Sequence, residues 1–310
     1  MAYQTGTVAS AVNLITVIET FAQAHGFVLT VIGPQNALSD AAGLSHTTLT
    51  YAASTGYDRV NVSGARDAAF TLNVCPGLSS LEVPSANWPV TYHLFFVPNP
   101  DTLYCVVVFG TFTSWLSFGS LIKPTTQYVG GNFFAAQRSS ATNKGAFVGC
   151  TSTSSSFFNG LHVNASGMPF WGFLNSNSLV AATSHAYMEI DGYTWPTAVF
   201  NLTDLLTTNK LYSDLYTRTP NQWNQHTVLL PVSLVFKRGG TPTYYSDVGQ
   251  VNGMRGLRID NYLNGDIITL GSEQWMVFSP YKKDTVNRNG VAGSASYSTG
   301  TFGFAILYDP

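Results

Sequence analysis

Tyr92-His-Leu-Phe-Phe-Val97, Pro98-Asn-Pro-Asp101 and Thr102-Leu-Tyr-Cys-Val-Val-Val-Phe-Gly110 form the stretch that decides the fold. Two β-branched and aromatic runs flank a turn of residues that fix φ or bond their own backbone. Pro98 and Pro100 cannot donate to a ladder, so the strands stop there. Both arms are nearly continuous in apolar residues instead of alternating, the pattern of strands covered on both faces. The stretch predicts the central hairpin of a β-rich core.

The other strand signals are arranged around it. Phe27–Ile32, ended by Gly33-Pro34, reads as a strand. Thr47–Tyr51 and Arg59–Ser63 alternate like half-exposed strands, and Ala68–Val74 is a further candidate. Cys75 to Pro89 reads as a long, proline-stiffened loop, and Thr113–Leu121 as a short turn or helix carrying Trp115 and Phe118 inward. In Tyr128–Ala136 paired glycines interrupt an aromatic strand, which suggests a bulge or close backbone approach. Ser184–Asp191 returns to strand-like alternation. Thr227–Phe236 holds Pro231 and so belongs at an edge or a bulge. Arg255–Ile259 starts another strand, and Ile267–Leu270, Gly271-Ser272 and Gln274–Phe278 make a hairpin with glycine first in its turn. Phe302–Tyr308 is the last strand. Residues 145–177 and 289–300 read as polar loops.

Helical spacing is sustained in one place. Ala11, Leu14, Ile15, Ile18, Phe21 and Ala22 share a face, Ser10 or Thr7 can cap the start, and Gly26 stands where a C-terminal cap belongs. This predicts a helix over Ser10–His25. Leu202–Tyr216 has a shorter periodicity that suits a second helix or two turns. The fold class expected is mainly β with one N-terminal amphipathic helix (α+β), in antiparallel, sandwich-like sheets with long polar loops. The chain of 310 residues is read as a single β-rich domain behind an arm of residues 1–7, with a candidate subdivision near 139–177.

Composition narrows the function classes. Charged residues make up 10% of the chain against roughly 25% in an ordinary soluble domain, while hydrophobic residues reach 45%. Thr, Ser, Asn, Gly and Tyr replace the missing charge, which suits large permanent contacts, since interface cores are depleted in charge and rich in aromatics. The net charge of −2 and pI near 6.3 argue against a nucleic-acid footprint. Lys237-Arg238 and Lys282-Lys283 are isolated pairs. The three cysteines, Cys75, Cys105 and Cys150, lie far apart, and an odd, sparse set predicts free thiols in a reducing compartment. The start of the chain lacks a basic region followed by an apolar run, so no signal peptide is expected, and Asn61-Val-Ser, Asn164-Ala-Ser and Asn201-Leu-Thr then carry no glycans. The longest apolar run is far short of a membrane span.

The usual catalytic patterns do not occur: there is no phosphate loop, Gly-x-Ser-x-Gly elbow, His-Glu-x-x-His or dinucleotide fingerprint. His185, Glu189 and Asp191 fall on one face of a strand by parity, a set from which a metal or acid–base site can be built, though an exposed polar strand face has the same pattern. Asp260 and Glu273 could approach across the Asn264 turn as a carboxylate pair. His93 reads as a satisfied core histidine, and Cys75 as an inert thiol without a neighbouring base. Trp88, Trp171, Trp195 and Trp223 sit in loop-like surroundings, suited either to burial or to stacking on sugars. No catalytic, cofactor-binding or metal-binding residue is assigned.

Several segments taken together resemble a family of virion structural proteins of tailed bacteriophages, tail and neck components. The arm Met1-Ala-Tyr-Gln-Thr-Gly-Thr7 running into Asn13–Ala22 and the exit His25-Gly-Phe27 is one of them. The hairpin arm Asp101–Val108 is another, and Trp115–Lys123 followed by Tyr128–Phe134 a third. Gly265–Lys283 with the closing Gly303–Tyr308 completes the set, which runs in order along nearly the whole chain. The family pattern has a charged or Trp-containing strand after the first helix, where Thr48–Val62 here is polar and neutral. The resemblance implies a non-enzymatic building block of the tail or neck, made in the bacterial cytosol, with copies of itself and other virion proteins as partners. A glycan- or receptor-binding module of a tail fibre or baseplate is the alternative, with a host-surface glycan as partner; a polysaccharide-degrading enzyme using His185, Glu189 and Asp191 is a third. Residues Tyr3, Gln4, Thr5 and Gly6 are the expected subunit interface, since an uncharged arm with unpaired backbone donors can add a strand to a neighbour's edge.

Overall fold

The computed structural model describes residues 1–43, 45–72, 74–75, 78–137, 157–158, 161–162, 184–188, 227–238, 244–279, 283 and 302–310. The chain opens with strand β1 (Ala2–Val8) and helix α1 (Ala11–Ala24). Strands β2 (Val28–Ile32), β3 (Gln35–Ser39), β4 (His46–Ser54), β5 (Tyr57–Ala65) and β6 (Ser79–Pro84) then form a five-stranded antiparallel sheet in sequence order. After them come β7 (Val90–Val97), β8 (Thr102–Phe109), β9 (Phe112–Ser120) and β10 (Asn132–Gln137). The short pair β11 (Phe157–Phe158) and β12 (Leu161–His162) and the strand β13 (Ser184–Met188) follow. The central sheet has the order β1-β7-β8-β9-β10-β13. Last are β14 (Leu230–Arg238), β15 (Tyr244–Arg258), β16 (Ile267–Leu270), β17 (Glu273–Phe278) and β18 (Phe302–Tyr308), in the order β14-β15-β18-β17-β16.

The central hairpin β7–β8 is apolar on both faces because both faces are covered. Along β8, Leu103, Cys105, Val107 and Phe109 join one core with α1 and with Leu38, Leu49, Val60, Val62, Leu81 and Val83 of the first sheet. Tyr104 and Val106, between them in sequence, join a second core with Val251, Met254, Met276, Phe278, Phe304 and Ile306 of the last sheet. The period of two sends alternate residues to opposite faces, so a strand in the middle layer needs apolar residues at every position. The architecture is thus three sheets in layers, with α1 packed in the first core. Each buried Leu, Phe or Val on β7 and β8 contributes about 1.5–3 kcal/mol of burial.

The helix forms where its spacing predicts. Ser10, in extended conformation, accepts a hydrogen bond from the Asn13 N–H at 3.2 Å. At the other end the Phe27 N–H donates to Ala22 O and the Gly26 N–H to Gln23 O, closing a Schellman turn around Gly26 at φ +95°. Leu14, Ile18, Phe21 and Ala22 are buried against the first core.

Three segments differ from the sequence expectation. Thr113–Leu121 lies on strand β9, not a turn or helix. Trp115 points into one core and Leu116 and Phe118 into the other, so burial on both faces erases the alternation. The described residues 68–72 form no strand: the Asp67 carboxylate accepts from the Thr71 and Leu72 N–H groups and the Thr71 hydroxyl, and Phe70 has φ +55°. Within the expected loop 75–89, Ser79–Pro84 is strand β6, whose Leu81 and Val83 are core residues. Strand β3, pairing in register with β2 and β4, had no counterpart in the sequence reading. The short pair β11–β12 falls within the expected loop at 145–177, and β15 begins at Tyr244, well before the expected start at Arg255. The remaining strands fall on the expected segments, including bulged β14 at a sheet edge, with its register shift beside Pro231. The expected helix at 202–216 and loop at 289–300 lie outside the described residues, as does most of the loop at 145–177.

Candidate assembly interface

Tyr3, Gln4, Thr5 and Gly6 sit on β1, an edge strand of the central sheet. The arm is not loose: Ala2 to Val8 pair in continuous register with Phe96 to Val90 of β7 of the same chain. This corrects the picture of an arm waiting for a neighbour's edge, because β7 offers an edge within its own chain and the side chains lock the register. The Tyr3 hydroxyl lies 2.8 Å from His93 Nδ1, and its ring meets Tyr308 edge-on and packs against Phe95. Gln4 donates to the Tyr92 hydroxyl at 3.0 Å, and the Thr5 hydroxyl to the Tyr92 carbonyl at 2.8 Å. Gly6 leaves room for the Tyr92 ring: a Cβ there would lie 2.7 Å from the Tyr92 hydroxyl oxygen and displace the end of that side chain. One side of β1 is thereby used, and its outer backbone edge, with exposed Gln4, Thr5 and Thr7, carries no charge.

His93 is the satisfied core histidine its setting predicted. Burial pushes its pKa down to about 4, so the ring is neutral at physiological pH. Tyr3 is raised by burial in the same pocket. The sequence signal for this pair was present but unreadable until the β1–β7 register was known, since nothing local links residues so far apart.

The other candidate residues are not brought together. His185 lies on β13 opposite Ala136, while Glu189 and Asp191 are outside the described residues. Asp260 holds Arg258 in a two-pronged ion pair at 2.9 and 3.0 Å, and Glu273 accepts from the Trp275 indole at 3.1 Å. Each carboxylate thus has its own structural partner. Trp88 packs partly on the first core and donates to Asp58 at 2.9 Å; Trp171, Trp195 and Trp223 lie outside the described residues. Cys75 and Cys105 are buried free thiols, and Cys150 is outside the described residues. Among the described residues no group of three or more His, Cys, Asp or Glu could hold a metal ion. No described helix is long and apolar enough to cross a membrane.

Sequence reasoning missed a clamp on the central hairpin. The Asn252 side-chain amide, on β15, donates to the carbonyls of Pro98 at 3.0 Å and Pro100 at 2.8 Å, and the Tyr104 hydroxyl donates to the Asn252 carbonyl. The Val-Asn-Gly-Met sequence at 251–254 is the only local hint, an Asn-Gly pair inside a strand. Backbone bonds between Ile122 and Gln250, at 2.8 and 2.9 Å, tie the same two layers nearby. At the far layer, Ser120 donates to Asp40 and Ser45 to the Gly119 carbonyl.

No family profile matches the chain, and no curated protein matches it in sequence.

Proposed function

We propose that this chain is a structural subunit of a tailed-bacteriophage virion, a building block of the tail or neck that assembles as a symmetric oligomer and has no catalytic role. The observation that carries the reading is β1, a charge-free edge strand, paired on one side only among the described residues, in a chain with few charges. Natural monomers blunt such edges with lysine, proline or a bulge. The ordered resemblance to tail and neck proteins supplies the particular assembly, with copies of the chain and other virion proteins as partners and the virion as location. Tyr3 and Gly6 fix β1 to its own sheet, and Gln4, Thr5 and Thr7 border the outer edge that a neighbouring subunit covers.

Negative-stain images of virions labelled against the chain test this. Label at the tail or neck is expected; virions that carry no label overturn it. Thr7→Lys, an exposed change, places a charge on the outer edge and should impair particle assembly while leaving the melt of the isolated subunit unchanged.

A further inference from the structure

Among the described residues the five-stranded sheet ends in β2, Val28-Leu-Thr-Val-Ile32, bonded on one side only, to β3. Three other edge strands, β14, β16 and β6, are protected in recognisable ways, whereas β1 is the edge already assigned to assembly. Edge strand β14 has Pro231, two register shifts and the pair Lys237-Arg238. Edge strand β16 is four residues long and begins beside Asp266. Edge strand β6 carries Glu82 and ends at Pro84. β2 has none of these devices, and its Val28 and Val31 are 58% and 73% exposed. An unpaired, uncharged, β-branched edge is a template for another extended strand.

We infer that β2 is a second subunit contact, pairing antiparallel with β2 of another copy about a two-fold axis at Thr30. The strand is self-complementary in the sense such an isologous contact requires. With Thr30 opposite Thr30, Leu29 faces Val31 and Val28 faces Ile32 of the other copy. Every cross-strand pair is then aliphatic–aliphatic or Thr–Thr, the favourable classes, and no like charges meet. The exposed Val28 and Val31 are covered, and the two first sheets become one continuous sheet. The contact is separate from β1, on a different sheet, so a subunit carries two edges through which an assembly can grow. This inference deepens the assembly reading and rests on it only for the biological setting.

The test uses the full chain in two variants. Thr30→Cys, mildly oxidised, should give a disulfide-linked dimer on a non-reducing gel, where the wild type, with Cys75 and Cys105 buried, gives none through these residues. Val31→Lys should abolish two-fold association, halving the mass of the dimer seen by light scattering, with an unchanged circular dichroism spectrum because the side chain is exposed. If Val31→Lys disturbs the fold, the Thr30→Cys cross-link alone decides. Absence of the cross-link at the highest soluble concentration overturns the inference. So does an unchanged mass for Val31→Lys; if Thr7→Cys cross-links instead, association runs through β1, and the proposed function stands without this contact.

Discussion

Tyr3 Oη and His93 Nδ1 lie 2.8 Å apart, joining the first strand of the chain to the strand it borders. The pair makes β1 sensitive to acid. His93 has a folded pKa of about 4 against an ordinary 6.5, and burial is the cause. Between those values the unfolded chain binds a proton that the native state refuses, so stability rises with pH through the window. Its contribution is complete above about pH 6.5 and falls by about 3 kcal/mol as the pH drops to about 4. His25 and His46 are also lowered by burial and act in the same direction. Urea melts at several pH values should show this loss, and His93→Asn should flatten the dependence even if it lowers stability throughout. An equally steep dependence in the variant would rule out His93 as its source.

The glycines at two positions should differ sharply in what they tolerate. Gly119 has φ +142°, and a Cβ there would lie 2.8 Å from Thr102 Cα and closer still to the Asp101 carbonyl. Both neighbours are backbone, where the β7–β8 turn enters the adjoining strand β8, and cannot step aside. Gly119→Ala should cost about 4 kcal/mol, in the range of severe core lesions. Gly271, in the β16–β17 turn, has φ +62° with open space around it. Gly271→Ala meets only the left-handed backbone penalty, about 1 kcal/mol. Denaturant midpoints of the two variants measure the contrast.

The Cys75 and Cys105 thiols should stay reduced and unreactive in the folded protein. Both are buried, and burial raises the Cys105 pKa, so the nucleophilic thiolate is suppressed. Maleimide should label neither residue under native conditions and both in guanidinium, as peptide mass mapping will read. Native labelling of Cys105 would mean that the central hairpin opens.

How much of this was legible in the sequence depended on how many faces an element buries. Helix α1 has one buried face, so its period is visible in Leu14, Ile18 and Phe21, and Ser10 and Gly26 mark its ends. β7 and β8 have two buried faces, and their unbroken apolar runs said so directly. β9 also has two, but Ser114, Ser117 and Ser120 are buried hydroxyls that read as loop residues. β3, at Gln35–Ser39, is half polar and short, and only its partners β2 and β4 make it a strand. The β1 residues were read correctly as extended and uncharged, whereas their pairing with β7 spans some ninety positions and leaves no local trace. The clamp from Asn252 spans still more sequence and shows in geometry alone.

That clamp makes the last prediction. The β7–β8 turn, Pro98-Asn-Pro-Asp101, has carbonyls that cannot all be satisfied within the turn, and the Asn252 amide donates to two of them at 3.0 and 2.8 Å. Removing the amide leaves the Pro98 carbonyl short of this donor and the Pro100 carbonyl with the longer bond from the Thr102 hydroxyl at 3.3 Å, in a half-buried site, so Asn252→Ala should cost about 2 kcal/mol. Asn252→Asp keeps the volume but puts a carboxylate, which only accepts, against two carbonyl oxygens. It should therefore be worse than alanine at neutral pH and recover part of the difference as the carboxyl protonates in acid, once His93 titration is subtracted. Denaturant melts of the two variants at neutral and acidic pH separate these outcomes. If aspartate is as stable as asparagine at neutral pH, the amide is not what holds the central hairpin to the last sheet.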